Sequence, residues 1–351
     1  MNKPIHVAIL GASGYGAGEL LRLFVLHPHA AVVSITSTSQ IGREIADVHP
    51  HLRGFYPDLT ITAESDFSRL LAADEAVVFS ALPHGASGET IDKLLEQYDT
   101  PKLKIIDLSG DLRLKDPAAH QAAYPHSPCL PSRRSEFVYG LPEINREAIR
   151  RAGRIANPGC LAAASILAAA PLVKTGLCRV LVFDAKTGSS GAGRALKEAT
   201  HHPTRHADFR AYKPLVHQHE PEILQALTQL DGKPLQISFV PHSMAVSRGI
   251  FVTLHAACDE PIDADSLKSL YENFYADAPF VRIVPDSPSL EDVVGSNFCD
   301  IAVAARGRQA VVMAAIDNLV KGMAGTAIQN MNLMCGLPET VGLWTPALRP
   351  V

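Results

Sequence analysis

Three things are scarce in this sequence, and each absence removes a class of protein. Positive charge is the first: 32 lysines and arginines stand against 36 aspartates and glutamates, a net charge of -4. No basic field is present to hold a phosphate backbone, so nucleic acid is excluded as the expected partner. Long apolar runs are also missing. The longest uncharged one, Leu161 to Val173, contains Pro171 and falls short of the roughly 18 residues a membrane span requires. No membrane partner is expected. Cysteine is sparse and scattered, at Cys129, Cys160, Cys178, Cys258, Cys299 and Cys335, with no Cys-x-x-Cys pair. Such spacing lacks the density of a disulfide framework and predicts reduced thiols. The opening MNKPIHVAILGASG runs straight into a strand-like segment without the three parts of a secretion signal, so a cytoplasmic location is the expectation.

What is present suits two domains, since 351 residues can bury a core in each. In the first part, short continuous apolar runs (HVAILG, AVVSITST, AVVFSALP, KIIDLSG) alternate with helical patterns. Strands of this kind separated by helices belong to a parallel sheet covered on both faces. From about Cys178 the runs RVLVFDAKTG, LQISFVPHS, GIFVTLHAAC, FVRIVP and DIAVAARGRQAVVMAAI follow one another with few helices, and Gly307-Arg308 reads as a hairpin turn. The expected fold class is therefore α/β, a Rossmann-type doubly wound parallel sheet, joined to an α+β domain with a mixed or antiparallel sheet. A last helix is expected over NLVKGMAGTAIQNMNLMCG, ending at Gly336-Leu337-Pro338. No internal repeat is visible.

The stretch VAILGASGYGAGELLRLF is a strand, a glycine turn and an amphipathic helix. Gly11, Gly14 and Gly16 permit a tight turn whose N–H groups face a pyrophosphate at the helix N-terminus, with Ala12, Ser13 and Tyr15 between them. At the end of the second strand an NAD site usually offers a carboxylate; here Ser37, Thr38 and Ser39 supply neutral donors and Arg43 a cation. That composition accepts a 2′-phosphate and points to NADP.

Asn157-Pro158-Gly159 is a turn, and Cys160 falls at the first turn of the alanine-rich helix behind it. Unpaired N–H groups and the helix dipole favour a thiolate there. A thiolate beside a nicotinamide suggests a thioester route between an aldehyde and an activated acid. VHQHEPEILQAL offers His217 and His219 as acid/base candidates, with Glu222 three residues on to orient an imidazole. The histidines His201, His202, His206, His217 and His219 lie near one another in sequence, but nothing completes a zinc set, and no metal is expected. Two arginines suit an anionic substrate: Arg194, closing the loop KTGSSGAGR, and Arg113, just past a strand in IIDLSGDLRL.

Taken in order, GASGYGAGEL, ALPHGAS, DLSGDLRL, YGLPE, NPGC, SSGAGR, HQHEPEI, SRGI and IDNLVKGMAGTAIQNMNL resemble the N-acetyl-gamma-glutamyl-phosphate reductase family, relatives of aspartate-semialdehyde dehydrogenase. The resemblance implies that Cys160 is the catalytic thiol and His219 the acid/base, with Glu222 supporting it. It implies NADP held by the Gly11 to Gly16 loop with Ser37 to Ser39, further contacts from Ser190 and Gly191, and Asn318 by the nicotinamide. Arg113, Arg194 and His217 would meet a small acyl phosphate substrate. The nucleotide domain would be discontinuous, 1–158 with 319–351, around a catalytic and dimerisation domain at 159–318, and the protein a homodimer or homotetramer. Two departures from the family's usual wording occur, Gly14-Tyr15-Gly16-Ala17 and Thr187-Gly188-Ser189-Ser190, and neither touches the thiol or the histidine. The motifs are shared with reductases of a carrier-bound aminoadipyl phosphate in lysine synthesis. A non-catalytic NADP-binding sensor would have no use for Cys160 and His219, and a cysteine hydrolase none for the glycine turn.

Overall fold

The computed structural model describes residues 4–350. By contacts the chain divides into two compact units, one running up to Pro158 and including Met323–Trp344, the other Gly159–Gly322 with the tail from Thr345.

In the first unit the apolar runs become β1 (Ile5–Leu10), β2 (Ala30–Thr36), β3 (Ala76–Ser80), β4 (Leu103–Asp107), β5 (Val138–Tyr139) and β6 (Arg154–Ala156), all parallel, in the order β2-β1-β3-β4-β6-β5. The strands β3 and β4 are buried along their whole length, as a sheet covered on both faces requires. The order reverses at β1, so the loops after β1 and β3 diverge at the carboxyl edge and open the crevice where such sheets bind ligands. Helices Tyr15–Phe24 and Ala86–Tyr98 are the crossovers after β1 and β3. The late helix Gly325–Met334 is buried in this unit, Asn330 donating to the Gly140 carbonyl and to Asn157 Oδ1.

The second unit holds β7 (Cys178–Thr187), β8 (Arg210–Ala211), β9 (Gln236–Ser243), β10 (Ile250–Cys258), β11 (Val281–Ile283), β12 (Cys299–Arg306) and β13 (Gln309–Ile316) in one mixed sheet, order β11-β12-β13-β10-β7-β9-β8. Gly307, at φ +60, makes the expected hairpin between β12 and β13. One face of this sheet is packed by the helices Cys160–Lys174 and Ala264–Phe274. Its other face leaves Val180 and Val182 46% and 41% exposed. The Cys160 helix contains Pro171, which cannot donate to the Leu167 carbonyl. Tyr275 supplies the missing donor, its hydroxyl 2.5 Å from that oxygen.

One expectation is corrected. The stretch from Asn318 is not one regular helix: Val320–Ala324 is a π turn, with the Gly322 N–H reaching back five residues to the Asp317 carbonyl (2.8 Å), and the α-helix starts only at Gly325. By contacts, residues 319–322 and the tail from Thr345 group with the second unit. The Asp317 carboxylate accepts the N–H groups of Leu319 and Val320, and the Leu348 N–H bonds Val294, so these segments join the second unit.

Candidate active site

In the first unit the nucleotide loop is built by a backbone that only glycine follows. Gly11 sits at φ +83, and a Cβ there would lie 2.7 Å from the Ala81 carbonyl oxygen, a clash no rotamer relieves. The N–H groups of Gly11 and Ala12 both donate to Thr36, fastening the turn to the end of β2. Gly14 is the N-cap of the Tyr15 helix, with no side-chain cap and no acid in the first turn, so the helix presents N–H groups and positive dipole to an anion. The hydroxyls of Ser13 and Ser39 each lie 3.4 Å from Ser37 Oγ, Thr38 is exposed, and Arg43 stands four residues beyond Ser39. Tyr15 is 43% exposed beside the turn. The uncapped start of the Tyr15 helix fits a dinucleotide phosphate, and the hydroxyl cluster fits the ribose end.

In the second unit Gly159 is the extended N-cap of the fifteen-residue helix Cys160–Lys174, again without a side-chain cap or an acid in the first turn. Cys160 therefore stands at a helix start whose dipole favours its thiolate, and it is partly exposed. Two contacts fix this turn. The Glu222 carboxylate, fully buried, accepts the Gly159 N–H at 2.7 Å, which ties the helix Glu220–Asp231 to the residue before the thiol. On the other side is Gly322, where any Cβ would come within 2.7 Å of Cys160 Cβ.

His219 caps the Glu220 helix and is 7% exposed. Its N–H donates to His217 Nδ1 (3.1 Å), the two rings meet edge to face at 4.7 Å, and His217 in turn meets Tyr212 at 5.5 Å. Burial first, then the Lys213 charge, pushes His217 down to about 4, which keeps its imidazole neutral near pH 7. Burial, and after it the negative charge Cys160 can carry, push the Tyr212 hydroxyl up and keep it protonated. Tyr212 thus belongs with Cys160, His217 and His219, a member that nothing in the sequence singled out.

The loop after β7 is a short 3-10 turn, Ser189–Ala192, held by Gly188 N–H to Gly249, Ser189 N–H to Val246 and Ser190 N–H to Ser247. Asn318, 1% exposed, accepts the Gly249 N–H (2.7 Å) and donates to Ser190 Oγ (2.9 Å). Its amide thereby shapes the loop that carries Gly191 and the exposed Arg194. Arg248 grips the buried Asp317 carboxylate from the neighbouring segment. Arg248, Asp317 and Gly322 are further site-building residues that sequence reasoning did not name. Only Gly322 left a signal, as a glycine inside an otherwise helical pattern.

Arg113, expected at the substrate, lies in the interior of the first unit. It is 4% exposed, with Nε on the Asn157 carbonyl (2.7 Å) and Nη2 on that of Leu108 (2.9 Å). Its fork holds the start of the Asn157-Pro158-Gly159 turn. Glu222 is likewise seen to grip the main chain ahead of the thiol, a task beyond the expected support of an imidazole.

Comparison with known proteins places this geometry. Residues 6–152 match the family described as semialdehyde dehydrogenase, NAD binding domain, and residues 160–318 the semialdehyde dehydrogenase, dimerisation domain. The N-acetyl-gamma-glutamyl-phosphate reductase of Methanosarcina mazei is 45% identical, with 100% of both chains covered. The enzyme of the same name from Bacillus cereus is 41% identical, over 97% of this chain and 98% of its own. Among solved structures, aspartate semialdehyde dehydrogenase II of Vibrio cholerae superposes with a TM-score of 0.71 at 16% identity, over 95% of this chain and 99% of that one. The aspartate semialdehyde dehydrogenase of Candida albicans, solved with NADP, gives 0.72 at 14%, with 95% and 99% covered. At such identities the likeness is one of fold.

Proposed function

The chain belongs to the N-acetyl-gamma-glutamyl-phosphate reductases, the arginine-biosynthesis branch of the semialdehyde dehydrogenases, and from that premise we propose a residue-level account of its reaction. The reaction is the reduction of N-acetyl-L-glutamyl 5-phosphate to N-acetyl-L-glutamate 5-semialdehyde with release of phosphate, on an NAD(P)-binding fold. In our reading Cys160 is the nucleophile. Its Sγ forms a bond to the acyl carbon, the carbon to phosphate-oxygen bond breaks, and inorganic phosphate leaves behind a thioester. A bound reduced nicotinamide supplies the hydride. The tetrahedral oxyanion is met by the Cys160 N–H at the helix start and by His219. His219 then returns a proton to sulfur as the carbon to sulfur bond breaks.

The observation that carries this reading is the double grip on the turn before the thiol, Gly159 on Glu222 and Gly322 against Cys160. A cysteine of no consequence would need neither. Arg194 and His217 are proposed for the acyl phosphate substrate, Arg194 by charge and His217 as a neutral donor. The Gly11 to Gly16 loop, Ser190 and Gly191 are proposed for the cofactor, with Asn318 setting their loop. We read the cofactor as NADP because Ser37, Thr38, Ser39 and Arg43 offer donors and a cation for a 2′-phosphate. The half-exposed valines of β7 on the open sheet face support a homodimer or homotetramer formed through the second unit, working in the cytoplasm.

One variant tests these readings together. Cys160→Ser is expected to lose about 10³-fold or more in turnover while binding NADPH more tightly than NADH and sedimenting as the wild-type oligomer. Turnover near wild type would contradict the covalent scheme; equal affinity for the two cofactors, or a monomer, would contradict the corresponding part.

A further inference from the structure

Cys178 and Cys258 take no part in the reaction, yet they are placed together with care. Cys178 is the first residue of β7 and Cys258 the last of β10, antiparallel neighbours that pair across a bulge at Arg179. Both are buried, at 0% and 4% exposure, and the two sulfurs lie 3.0 Å apart. The bulge disturbs the regular pairing distance, but the sulfurs meet directly, and closing from 3.0 Å to the roughly 2.0 Å of a disulfide takes about 1 Å. The surroundings are fixed as well: the Asp259 N–H bonds Leu177, the Cys258 N–H bonds Arg308, and the buried Tyr271 hydroxyl donates to Ala168 at 2.5 Å. A disulfide here would need little backbone movement.

We propose that Cys178 and Cys258 form a latent disulfide site, closed by a small disulfide such as oxidised glutathione into a cross-link between β7 and β10. The chemistry balances as two exchanges. The sulfur of Cys258, the residue with the greater exposure of the two, attacks glutathione disulfide and releases one glutathione thiol. Cys178 sulfur then displaces the second glutathione from the mixed disulfide. Two protein S–H bonds are lost, one protein S–S bond forms, and one glutathione disulfide is reduced to two thiols. Burial pushes the Cys178 thiol up, so little thiolate exists in the folded state and closure is slow. Equilibrium runs the other way, because sulfurs already in contact have little entropy left to lose. The site is kinetically guarded and thermodynamically favourable.

The cross-link would lie at the end of β7 remote from the catalytic loop. Nine residue steps lead from Cys178 to Thr187, about 30 Å of strand, so the effect falls on stability and leaves cofactor binding alone. The test uses full-length Cys160→Ser protein, which removes the reactive thiol from the chemistry, held in oxidised glutathione with warming to let strand ends open. Expected are a tryptic peptide pair joined through Cys178 and Cys258, an increase in Tm of at least about 5 °C for a closed loop of this length, and unchanged NADPH affinity. The Cys258→Ala form of the same protein should show neither peptide pair nor shift. Absence of the linked pair after prolonged oxidation would overturn the proposal. So would a linked protein whose Tm is lower, since that would show the folded geometry does not fit the bond, or one whose NADPH affinity has changed, since that would place the bond's effect at the site.

Discussion

At the scale of single residues, the site depends on carboxyl and amide groups that hold backbone more than on groups that touch substrate. Glu222 is the clearest instance, a fully buried acid whose Oε1 receives the Gly159 N–H. Replacing it by alanine strands a buried donor, which costs about 1–3 kcal/mol, whereas glutamine keeps an oxygen acceptor on a side chain of the same length. Urea melts of Glu222→Ala and Glu222→Gln should therefore differ by about that amount, with glutamine the more stable. Equal stabilities would mean that the Gly159 contact contributes nothing. Asn318 and Arg113 act in the same manner, one shaping the Ser190 loop and the other the Asn157 turn. Sequence makes such residues visible as polar groups at suggestive places, but not the direction in which their hydrogen bonds run.

Among the elements, the π turn at Val320–Ala324 does most for the thiol. By widening the turn it sets Gly322 against Cys160, where a methyl group would overlap the cysteine Cβ. Gly322→Ala should lower stability by about 1–3 kcal/mol through overpacking and also reduce turnover, because relief requires the Cys160 helix start to move. A fully active Gly322→Ala enzyme with wild-type Tm would remove this element from the account. Much else was legible beforehand: the strand runs from HVAILG to KIIDLSG became β1 to β4, the glycine turn stands between β1 and its helix, and Gly307 closes the β12–β13 hairpin. Those features follow from local periodicity and turn chemistry. The π turn did not show, because Asn318 to Gly336 has helical composition apart from Gly322 and Gly325, and a glycine alone does not tell a wide turn from a regular one. What breaks the regular helix is Asp317, whose side chain and carbonyl capture the next N–H groups. Tyr212 was invisible for a similar reason, since pairing of Arg210–Ala211 with β9, and not any local pattern, brings it beside His217.

For the molecule as a whole, buried histidines give stability a pH dependence of definite sign. Burial holds His27, His84, His120 and His217 below the ordinary imidazole value, His84 and His217 at about 4. The unfolded chain then binds more protons than the folded one as pH falls through 6.5, and stability drops with it. Asp107 works against this: burial raises it to about 6, so between about 4 and 6 the folded state is the one that takes up its proton. Burial raises the Glu220 and Asp300 carboxyls as well, but the four imidazoles take up their protons in the unfolded chain around 6.5, above the range in which the three carboxyls do so in the folded one, and between pH 7 and pH 5 the net sign stays with the histidines. Tm should fall between pH 7 and pH 5, and His217→Gln should make the fall shallower; a Tm that is flat or rises on acidification would contradict this reading. The whole account comes down to a bond between the substrate and one sulfur. It is tested most directly by mixing enzyme with N-acetyl-L-glutamyl 5-phosphate in the absence of reduced cofactor, quenching in acid and mapping the peptides. Phosphate should be released in a burst of one per subunit, with an N-acetylglutamyl group found on Cys160; release that waits for NADPH, or an acyl group on any other residue, would contradict it.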